Sequence, residues 1–264
     1  SIYYEETGKY ISFTDWFIAA IPLVIIMTFL VYLILVKVFE LEDINMGSIK
    51  KHIDEEVDEM GDLSMGEGKA LGFLLSAFIA WAVLGQKFGM GVIGVLITVF
   101  IALTNTVSWD DIARSLPWGT IFLYGGAISL ASILAKAGTL AFVTDILISG
   151  IGENPFLVLA LFSALAVFLS NAMSNSATTA VILPIGITVM MNIGFSDVIP
   201  VFTIALSSAF AFMFPVGTPS AALVYSTGHL DMKDFIKAGF ILNLIGIAAF
   251  LTIGLAWWKL IGLW

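Results

Sequence analysis

The chain alternates between long apolar stretches and short segments rich in turn-forming and charged residues. A helix that crosses about 30 Å of hydrocarbon needs about 20 mostly apolar residues, and most of the stretches are suited to cross once. The pattern predicts helices at residues 14–37, 71–85, 88–105, 116–136, 155–192, 197–229 and 234–262. The predicted fold class is therefore an all-α polytopic membrane protein.

Two of these stretches are too long for one straight span. Residues 155–192 would extend about 57 Å as a single helix at about 1.5 Å per residue, nearly twice the hydrocarbon thickness. They must fold back as a hairpin or cross twice. Two limbs of about 18 residues favour a re-entrant hairpin, because each is marginal for a full span. Residues 197–229 are interrupted at 214–219 by two prolines and a glycine, which predicts a discontinuous helix.

A polar segment at 40–68 separates the first apolar stretch from the rest. Its apolar residues recur every three to five positions between charged ones: Ile44, Ile49, Ile53, Val57 and Met60. This spacing fits an amphipathic helix on the membrane surface or against a partner, and a solvated connector fits it equally well. The predicted organisation is an N-terminal segment with one span at 1–37, a linker at 38–70 and a helical body at 71–264.

Composition supports a membrane protein and excludes several kinds of chemistry. The chain is 59% hydrophobic and 12% charged, whereas soluble domains are about half apolar and about a quarter charged. It contains no cysteine, so disulfides, thiolate catalysis and cysteine-ligated metals are excluded. Basic residues in the short loops predict a cytoplasmic linker and an external C-terminus. Because the chain begins at Ser1 without a signal sequence, we expect a processed start or a part of a longer protein.

The middle of the fifth stretch is polar although it lacks charge. No ionisable side chain occurs from 154 to 196, yet seven of the ten residues at 170–179 carry a hydroxyl or an amide. Such groups need internal partners in hydrocarbon, and a bound solute or ion is one. Helix starts can hold an anion through free N–H groups, and helix ends can hold a cation. The same residues could instead be hydrogen-bonding contacts between helices.

Two motifs resemble a known family. Residues Ser174-Asn175-Ser176 resemble the Ser-Asn-Thr signature at the tip of a re-entrant hairpin in the divalent anion/sodium symporter family. A second run resembles the Pro-Val-Ala-Thr-Pro break of that family and reads Pro215-Val216-Gly217-Thr218-Pro219. Residues 117–127 and 226–229 are similar to two further stretches of it, and the resemblance extends in order over 14–262.

The resemblance implies a homodimeric, elevator-type symporter for dicarboxylates, citrate or sulfate, with sodium as the coupling ion and no organic cofactor. Each of two inverted repeats in the family supplies one hairpin and one broken helix. By that topology this chain carries the last span of the first repeat and the whole second repeat, so half of the site is missing. The other half is expected from the rest of a longer chain or from a second subunit. The expected location is the prokaryotic inner membrane.

Carried over to this chain, the resemblance implies two sets of site residues. The substrate-binding set is Ser174, Asn175, Ser176, Thr218 and Pro219. The sodium set is Ser170, Met173, Asn175 and Gly217, where Met173 and Gly217 would act through backbone carbonyls. The chain departs from the family pattern at Ser176, at Asn171 and at 220–221, which leaves the choice of anion open.

A related exchanger with proton coupling or another anion, such as arsenite or citrate, is the main alternative. Proton coupling normally uses a membrane-embedded acid or histidine, whereas Asp145, Glu153 and Asp197 lie near predicted span ends. A channel would need a continuous polar stripe, and the polar residues cluster at one depth. A membrane-embedded enzyme would need a nucleophile with a base or a metal set, and only His52 and His229 are available. The sequence thus predicts a transporter.

Overall fold

The computed structural model describes residues 2–39, 46–116 and 118–263. Throughout these ranges the regular secondary structure is helical, which confirms the predicted all-α fold. Contacts divide the chain into two compact units, Ser1–Leu35 with Pro117–Trp264 and Val36–Leu116, and each is described by itself. Ile44 of the predicted amphipathic linker lies outside the described residues.

The α-helices are numbered in chain order. They are α1 (Ile2–Thr7), α2 (Phe13–Val38), α3 (Met46–Met60), α4 (Met65–Phe88), α5 (Met90–Leu103), α6 (Trp109–Ser115), α7 (Trp118–Lys136), α8 (Thr139–Ile151), α9 (Pro155–Ala172), α10 (Asn175–Asn192), α11 (Val198–Ser208), α12 (Pro219–Ser226), α13 (Met232–Ala249) and α14 (Leu255–Leu260). Within the described ranges, α2, α4, α9 and the continuous helix Met232–Leu260 are long and apolar enough to cross a membrane. The prediction missed α8, which is only 13 residues long and lies in a stretch interrupted by Gly138 and Asp145.

The stretch at 155–192 consists of two helices of 18 residues each, α9 and α10. Only Met173 and Ser174 separate them. Helix α9 begins where Asn154 Oδ1 accepts a hydrogen bond from Phe156 N at 3.0 Å, which satisfies one of the free N–H groups of its first turn. Both helices pack against α11 around fully buried apolar side chains, among them Phe162. That the pair re-enters the membrane without crossing it stays a prediction.

The predicted discontinuity at 197–229 is longer than the sequence indicates. Helix α11 ends at Ser208 and α12 begins at Pro219, with one turn of 3₁₀-helix at Pro215–Gly217 between them. The prediction placed the break at 214–219, where the prolines lie. The helix instead stops six residues earlier, and side chains from other helices hold the backbone at Phe212 and Met213 within the gap. We call residues 209–218 the break.

The last apolar stretch is one continuous helix that changes pitch. Helices α13 and α14 are joined by a π-helical segment, Phe250–Gly254. The ring of Phe250 at its start is fully buried, and its centroid lies 5.3 Å from that of Trp258. Local π-helix of this kind is uncommon and has no simple sequence signal.

Helix α2 is joined to α14 by hydrogen bonds next to a proline. Pro22 lies inside α2 and has no N–H, so it cannot donate to the carbonyl of Ile18 four residues earlier. Trp257 Nε1 donates to that carbonyl at 2.8 Å. The neighbouring Trp258 Nε1 donates to the carbonyl of Ala19 at 3.1 Å. Two adjacent indoles therefore fix α2 against α14.

In the second unit, α4 and α5 form a hairpin of a simpler kind. A single residue, Gly89, joins them with φ at 77°, a value that favours glycine. Trp81 Nε1 donates to Met90 O at 3.0 Å across the turn. The linker segment contains the helix α3, whose apolar Ile53 and Val57 are exposed. The location of α3 on a membrane surface stays a prediction.

Candidate functional site

Two helix starts lie at the hairpin bend and at the break. Ser174 precedes α10, and its Oγ accepts a hydrogen bond from Ala177 N at 3.2 Å. Thr218 precedes α12, and its Oγ1 accepts one from Ala221 N at 3.3 Å. Both hydroxyls therefore act as N-caps. Pro219 occupies the first helical position of α12, where proline is well tolerated because its missing N–H would have no partner in the helix.

The bend and the break approach each other at the backbone of Ser170 and Gly217. A Cβ placed on Gly217 would lie 3.3 Å from the carbonyl oxygen of Ser170 and 3.2 Å from Cβ of Ala211. Any side chain at 217 would press on this carbonyl, so glycine permits the contact. The structure thus brings together two residues of the predicted sodium set that are 47 positions apart in the chain.

Asn175 is the first residue of α10 and has an unsatisfied oxygen. Its Oδ1 is buried and has no hydrogen-bond partner among the described residues, while its backbone carbonyl accepts from Thr179 Oγ1 at 2.9 Å. Buried polar atoms are nearly always paired. An amide oxygen is a suitable ligand for a hard cation, so this atom is a candidate for binding one.

The remaining predicted residues occupy less exceptional positions. Ser170 is fully buried, and its Oγ donates to Val167 O at 2.9 Å. Met173 N donates to Leu169 O at 3.0 Å at the end of α9. Ser174 is exposed and Ser176 is partly buried. These positions leave the Met173 and Ser170 carbonyls at the end of a helix, where intrahelical N–H partners run out.

Two asparagines that the sequence analysis did not assign to the site hold the break in place. Met213 N donates to Asn171 Oδ1 at 2.7 Å, and Phe212 N donates to Asn243 Oδ1 at 3.2 Å. Asn171 is 3% exposed and Asn243 is 0% exposed. Asn171 also donates from Nδ2 to Val167 O at 2.7 Å. Amides from α9 and α13 therefore satisfy consecutive N–H groups that the helix no longer pairs.

Glycines on α13 allow the break to approach closely. A Cβ on Gly239 would overlap the carbonyl of Phe212 and lie 2.6 Å from Cα of Met213. A Cβ on Gly246 would lie 2.9 Å from the ring of Phe210. Because Gly239, Asn243 and Gly246 are spaced by four and three residues, they share one helix face. This spacing is the sequence signal that could have identified Asn243.

Part of the polar cluster does connect helices, as the alternative interpretation expected. Thr179 Oγ1 and Ser208 Oγ are 3.2 Å apart, and Ser163 Oγ and Ser207 Oγ are 2.8 Å apart. These hydrogen bonds join α11 to the two limbs of the hairpin. Contacts of this type contribute about 0.6 kcal/mol on average in membranes. The hydroxyls of Ser207 and Ser208 on α11 therefore have structural partners, unlike Asn175 Oδ1.

Charged groups are absent from the site itself. The sequence has no lysine or arginine between Lys136 and Lys233, so an anion there would depend on N–H groups and hydroxyls. Among the described residues, no group of three His, Asp or Glu side chains could hold a metal ion. Asp197, at the start of α11, forms an ion pair with Lys9 at 2.7 Å. That pairing makes Asp197 a poor candidate for proton coupling.

Comparison with known proteins decides the family. The family profile described as "Sodium:sulfate symporter transmembrane region" matches residues 2–264. The chain belongs to this family of divalent anion:sodium symporters. It is accordingly an integral membrane protein of a transporter family, and it is not an enzyme.

Individual relatives of the chain are 26–28% identical to it. An uncharacterized transporter from Haemophilus influenzae is 27% identical over an alignment that covers 94% of this chain and 56% of that protein. The sodium-dependent dicarboxylate transporter SdcS of Staphylococcus saprophyticus is 26% identical over 95% of this chain and 52% of its own length. SdcS of Staphylococcus aureus is 28% identical over 92% and 50%. The chain spans about half the length of the curated relatives it matches.

Proposed function

We propose that the chain forms the second-repeat half of a sodium-coupled symporter for a divalent anion. The substrate class is a di- or tricarboxylate, such as succinate or citrate, or sulfate. The observation that carries the proposal is the buried, unpaired Oδ1 of Asn175, in a hairpin whose other limb brings the carbonyl of Ser170 against Gly217. The names of the family and of SdcS support the choice of sodium and of an anion.

The anion binds at the starts of α10 and α12. The dipole of each helix supplies roughly half a positive charge at its start, and free N–H groups there bind anions without a lysine or arginine. Ser174, Asn175 and Ser176 contact the substrate from the hairpin. Thr218 and Pro219 border it from the break. Neutral ligands of this kind suit a site from which the anion must also be released.

Sodium binds where α9 ends and the break turns. Its ligands are oxygens of Ser170, Met173, Asn175 and Gly217, with Met173 and Gly217 acting through their carbonyls. The negative end of the α9 dipole favours a cation there. Sodium between Ser170 and Gly217 holds the hairpin end to the break.

Coupling follows from the place of Asn175 in both sets. Its Oδ1 is an acceptor for sodium, while its Nδ2 and backbone N–H are donors for the anion. Sodium that fixes the side chain lowers the entropic cost of anion binding. Because such coupling is reciprocal, the anion raises the affinity for sodium by the same factor.

The architecture around this site is part of the proposal. Residues 1–37 form the end of a first repeat, 38–70 a cytoplasmic linker and 71–264 the second repeat, with 155–192 as a re-entrant hairpin. A functional homodimer in a bacterial plasma membrane moves the site by an elevator mechanism. The other half of each site comes from a first repeat, in the same chain or in a second subunit.

Uptake of labelled succinate, citrate and sulfate into proteoliposomes tests the function. The protein is expressed from its complete coding sequence, and an inward sodium gradient is compared with choline. We expect sodium-dependent uptake of one of these anions and its loss in Asn175→Ala. Asn192→Ala is the matched control, because Asn192 is an exposed asparagine at the other end of α10. Unchanged uptake by Asn175→Ala contradicts the site, and uptake driven by a proton gradient without sodium indicates the exchanger alternative.

A further inference from the structure

Thr178 is an exception among the threonines of its helix. Thr179 and Thr188 donate their hydroxyls to the carbonyls four residues earlier, at 2.9 and 3.0 Å. Thr178 is 0% exposed, and its Oγ1 has no partner among the described residues. The carbonyl four residues before it, that of Ser174, accepts only the backbone N–H of Thr178 at 2.9 Å in the described structure. A buried hydroxyl without a partner is unfavourable unless something binds it.

Thr178 and Asn175 are three residues apart on α10. Side chains with this spacing lie on the same helix face, with their Cβ atoms about 5–6 Å apart. Both carry a buried oxygen that has no described partner. Two unpaired buried oxygens within one helical turn suggest that one ligand (the guest) binds both, because leaving each of them unpaired would be energetically unfavourable.

The chemistry of the two oxygens limits what this guest can be. The amide oxygen of Asn175 only accepts hydrogen bonds, so the guest must be a cation or a donor. An oxygen ligand lies about 2.4 Å from a hard cation of the size of calcium, so two ligands can be separated by up to about 4.8 Å. Sodium has a similar radius. Side chains at Asn175 and Thr178 can meet that separation.

We propose that Thr178 Oγ1 is a further sodium ligand, which completes the pair begun by Asn175 Oδ1. The inference rests on the proposed function, since it adds an oxygen to the same sodium site. The hydroxyl keeps lone pairs for the ion. Its position one turn into α10 places the cation on the inner side of the hairpin, beside the buried face of α10.

Thr178→Val tests the ligand with little change in shape. Valine replaces the hydroxyl with a methyl, whereas Thr178→Ser keeps the oxygen. We take the coordination of sodium by a neutral oxygen as comparable in strength to a hydrogen bond to a charged group, whose loss corresponds to about a tenfold change in affinity. We expect the sodium concentration for half-maximal uptake to rise about tenfold in Thr178→Val and by less than about threefold in Thr178→Ser. The maximal rate at saturating sodium stays similar.

Thr203→Val is the matched control. Thr203 lies on α11, is 0% exposed and also has an unpaired Oγ1, so the substitution is identical in type and burial. We expect it to leave the sodium dependence of uptake unchanged. An equal shift in both variants assigns the effect to packing and overturns the inference.

Thermal stability, measured in sodium and in choline, separates binding from folding. Removing an unpaired buried hydroxyl is neutral or stabilising, so Thr178→Val should melt at or above the parent temperature in choline. The increase that sodium gives the parent should shrink in this variant. A melting temperature that falls equally in both salts overturns the inference.

The outcomes also separate this inference from the proposed function. If Asn175→Ala loses the sodium response and Thr178→Val keeps it, the symporter stands and Thr178 is not a ligand. A water molecule as the only guest gives that same result. If the parent shows neither sodium-dependent uptake nor sodium-dependent stabilisation, both proposals fail.

Discussion

The helical hairpins α4–α5 and α9–α10 differ in where their polar groups find partners. In α4–α5 the hydroxyls of Ser76 and Thr98 donate to carbonyls of their own helices, at 2.8 and 2.9 Å. In α9–α10 the hydroxyls of Ser163 and Thr179 pair with serines of α11, and that of Thr178 has no described partner. A hairpin that satisfies itself can face lipid, whereas the polar hairpin requires enclosure by other helices.

The surfaces of the two hairpins agree with this difference. The groove between α4 and α5, about 240 Å³ in volume, is lined only by apolar and aromatic side chains, such as Leu84, Ile93 and Phe100. The inner faces of α9 and α10 are buried against neighbouring helices of their unit. Only the second arrangement can keep an oxygen such as Asn175 Oδ1 dry and fixed for an ion.

The largest expected effect comes from Gly239 on α13, which packs against the break. Gly239→Val puts side-chain atoms into the backbone at Phe212 and Met213. We therefore expect the free energy of unfolding to fall by about 3 kcal/mol or more and transport to be lost. Gly72→Val on α4 is the counterpart, since a Cβ there meets no atom within 4 Å. Both variants are compared with the parent by the yield of monodisperse protein, the melting temperature and the rate of uptake. Equal tolerance of the two changes would contradict the packing of the break on α13.

Asn171→Leu should have the next largest effect. It leaves Met213 N–H unpaired in the interior, which costs about 1–3 kcal/mol, and it loosens the break beside Gly217. We expect a lower melting temperature and a weaker sodium dependence of uptake. Ser76→Ala in α4 is the comparison, because the exposed Ser76 bonds only its own helix. A wild-type sodium response in Asn171→Leu would show that the amide does not position the site.

Trp81 and Trp258, one in each unit, test how burial changes the contribution to stability of an indole-to-carbonyl hydrogen bond. Trp81→Phe removes the bond to Met90 O at a cost of about 1 kcal/mol, and uptake should persist. Trp258→Phe removes the bond to Ala19 O from a fully buried side chain, so its decrease in melting temperature should be at least twice as large. Similar decreases for the two variants would mean that burial does not distinguish these contacts.

The smallest effect is expected at the exposed ion pair of Lys9 and Asp197. The hydrogen bond to Asp197, and then its charge, raise the pKa of Lys9 above the usual 10.5. A raised pKa means that the pair stabilises the fold below pH 10.5 and that this contribution disappears as pH rises through the folded-state pKa. Melting temperatures of parent and Asp197→Asn should therefore differ slightly at about pH 8 and converge as the pH rises past 10.5 and through the raised pKa of Lys9. A difference that persists at the higher pH would assign the effect of the Asp197→Asn substitution to packing.

The sequence was sufficient to locate the bend of the hairpin and Gly217. Hydroxyl and amide residues stand out at 170–179 because no charged residue surrounds them, and the length of 155–192 requires a turn. The start of the break was not predictable in this way. No proline or glycine marks Ala209, and the asparagines that hold the break, Asn243 and Asn171, bind the backbone N–H groups of Phe212 and Met213 a few residues later. An asparagine in an apolar helix does not reveal whether it bonds a side chain or a distant backbone.

Biosynthesis gives the hydrogen bond between Trp257 and the carbonyl of Ile18 a further consequence. The carbonyl of Ile18 and its indole partner are separated by 239 residues. At about 5–20 residues per second, translation needs roughly 12–48 s to bridge that distance. During this time α2 has a carbonyl that the residue four positions later cannot satisfy, because that residue is Pro22, and an unsatisfied carbonyl costs several kcal/mol in hydrocarbon. Helix α2 is thus secured only after Trp257 has been synthesised, and a chain that ends before Trp257 lacks the donor that satisfies the Ile18 carbonyl.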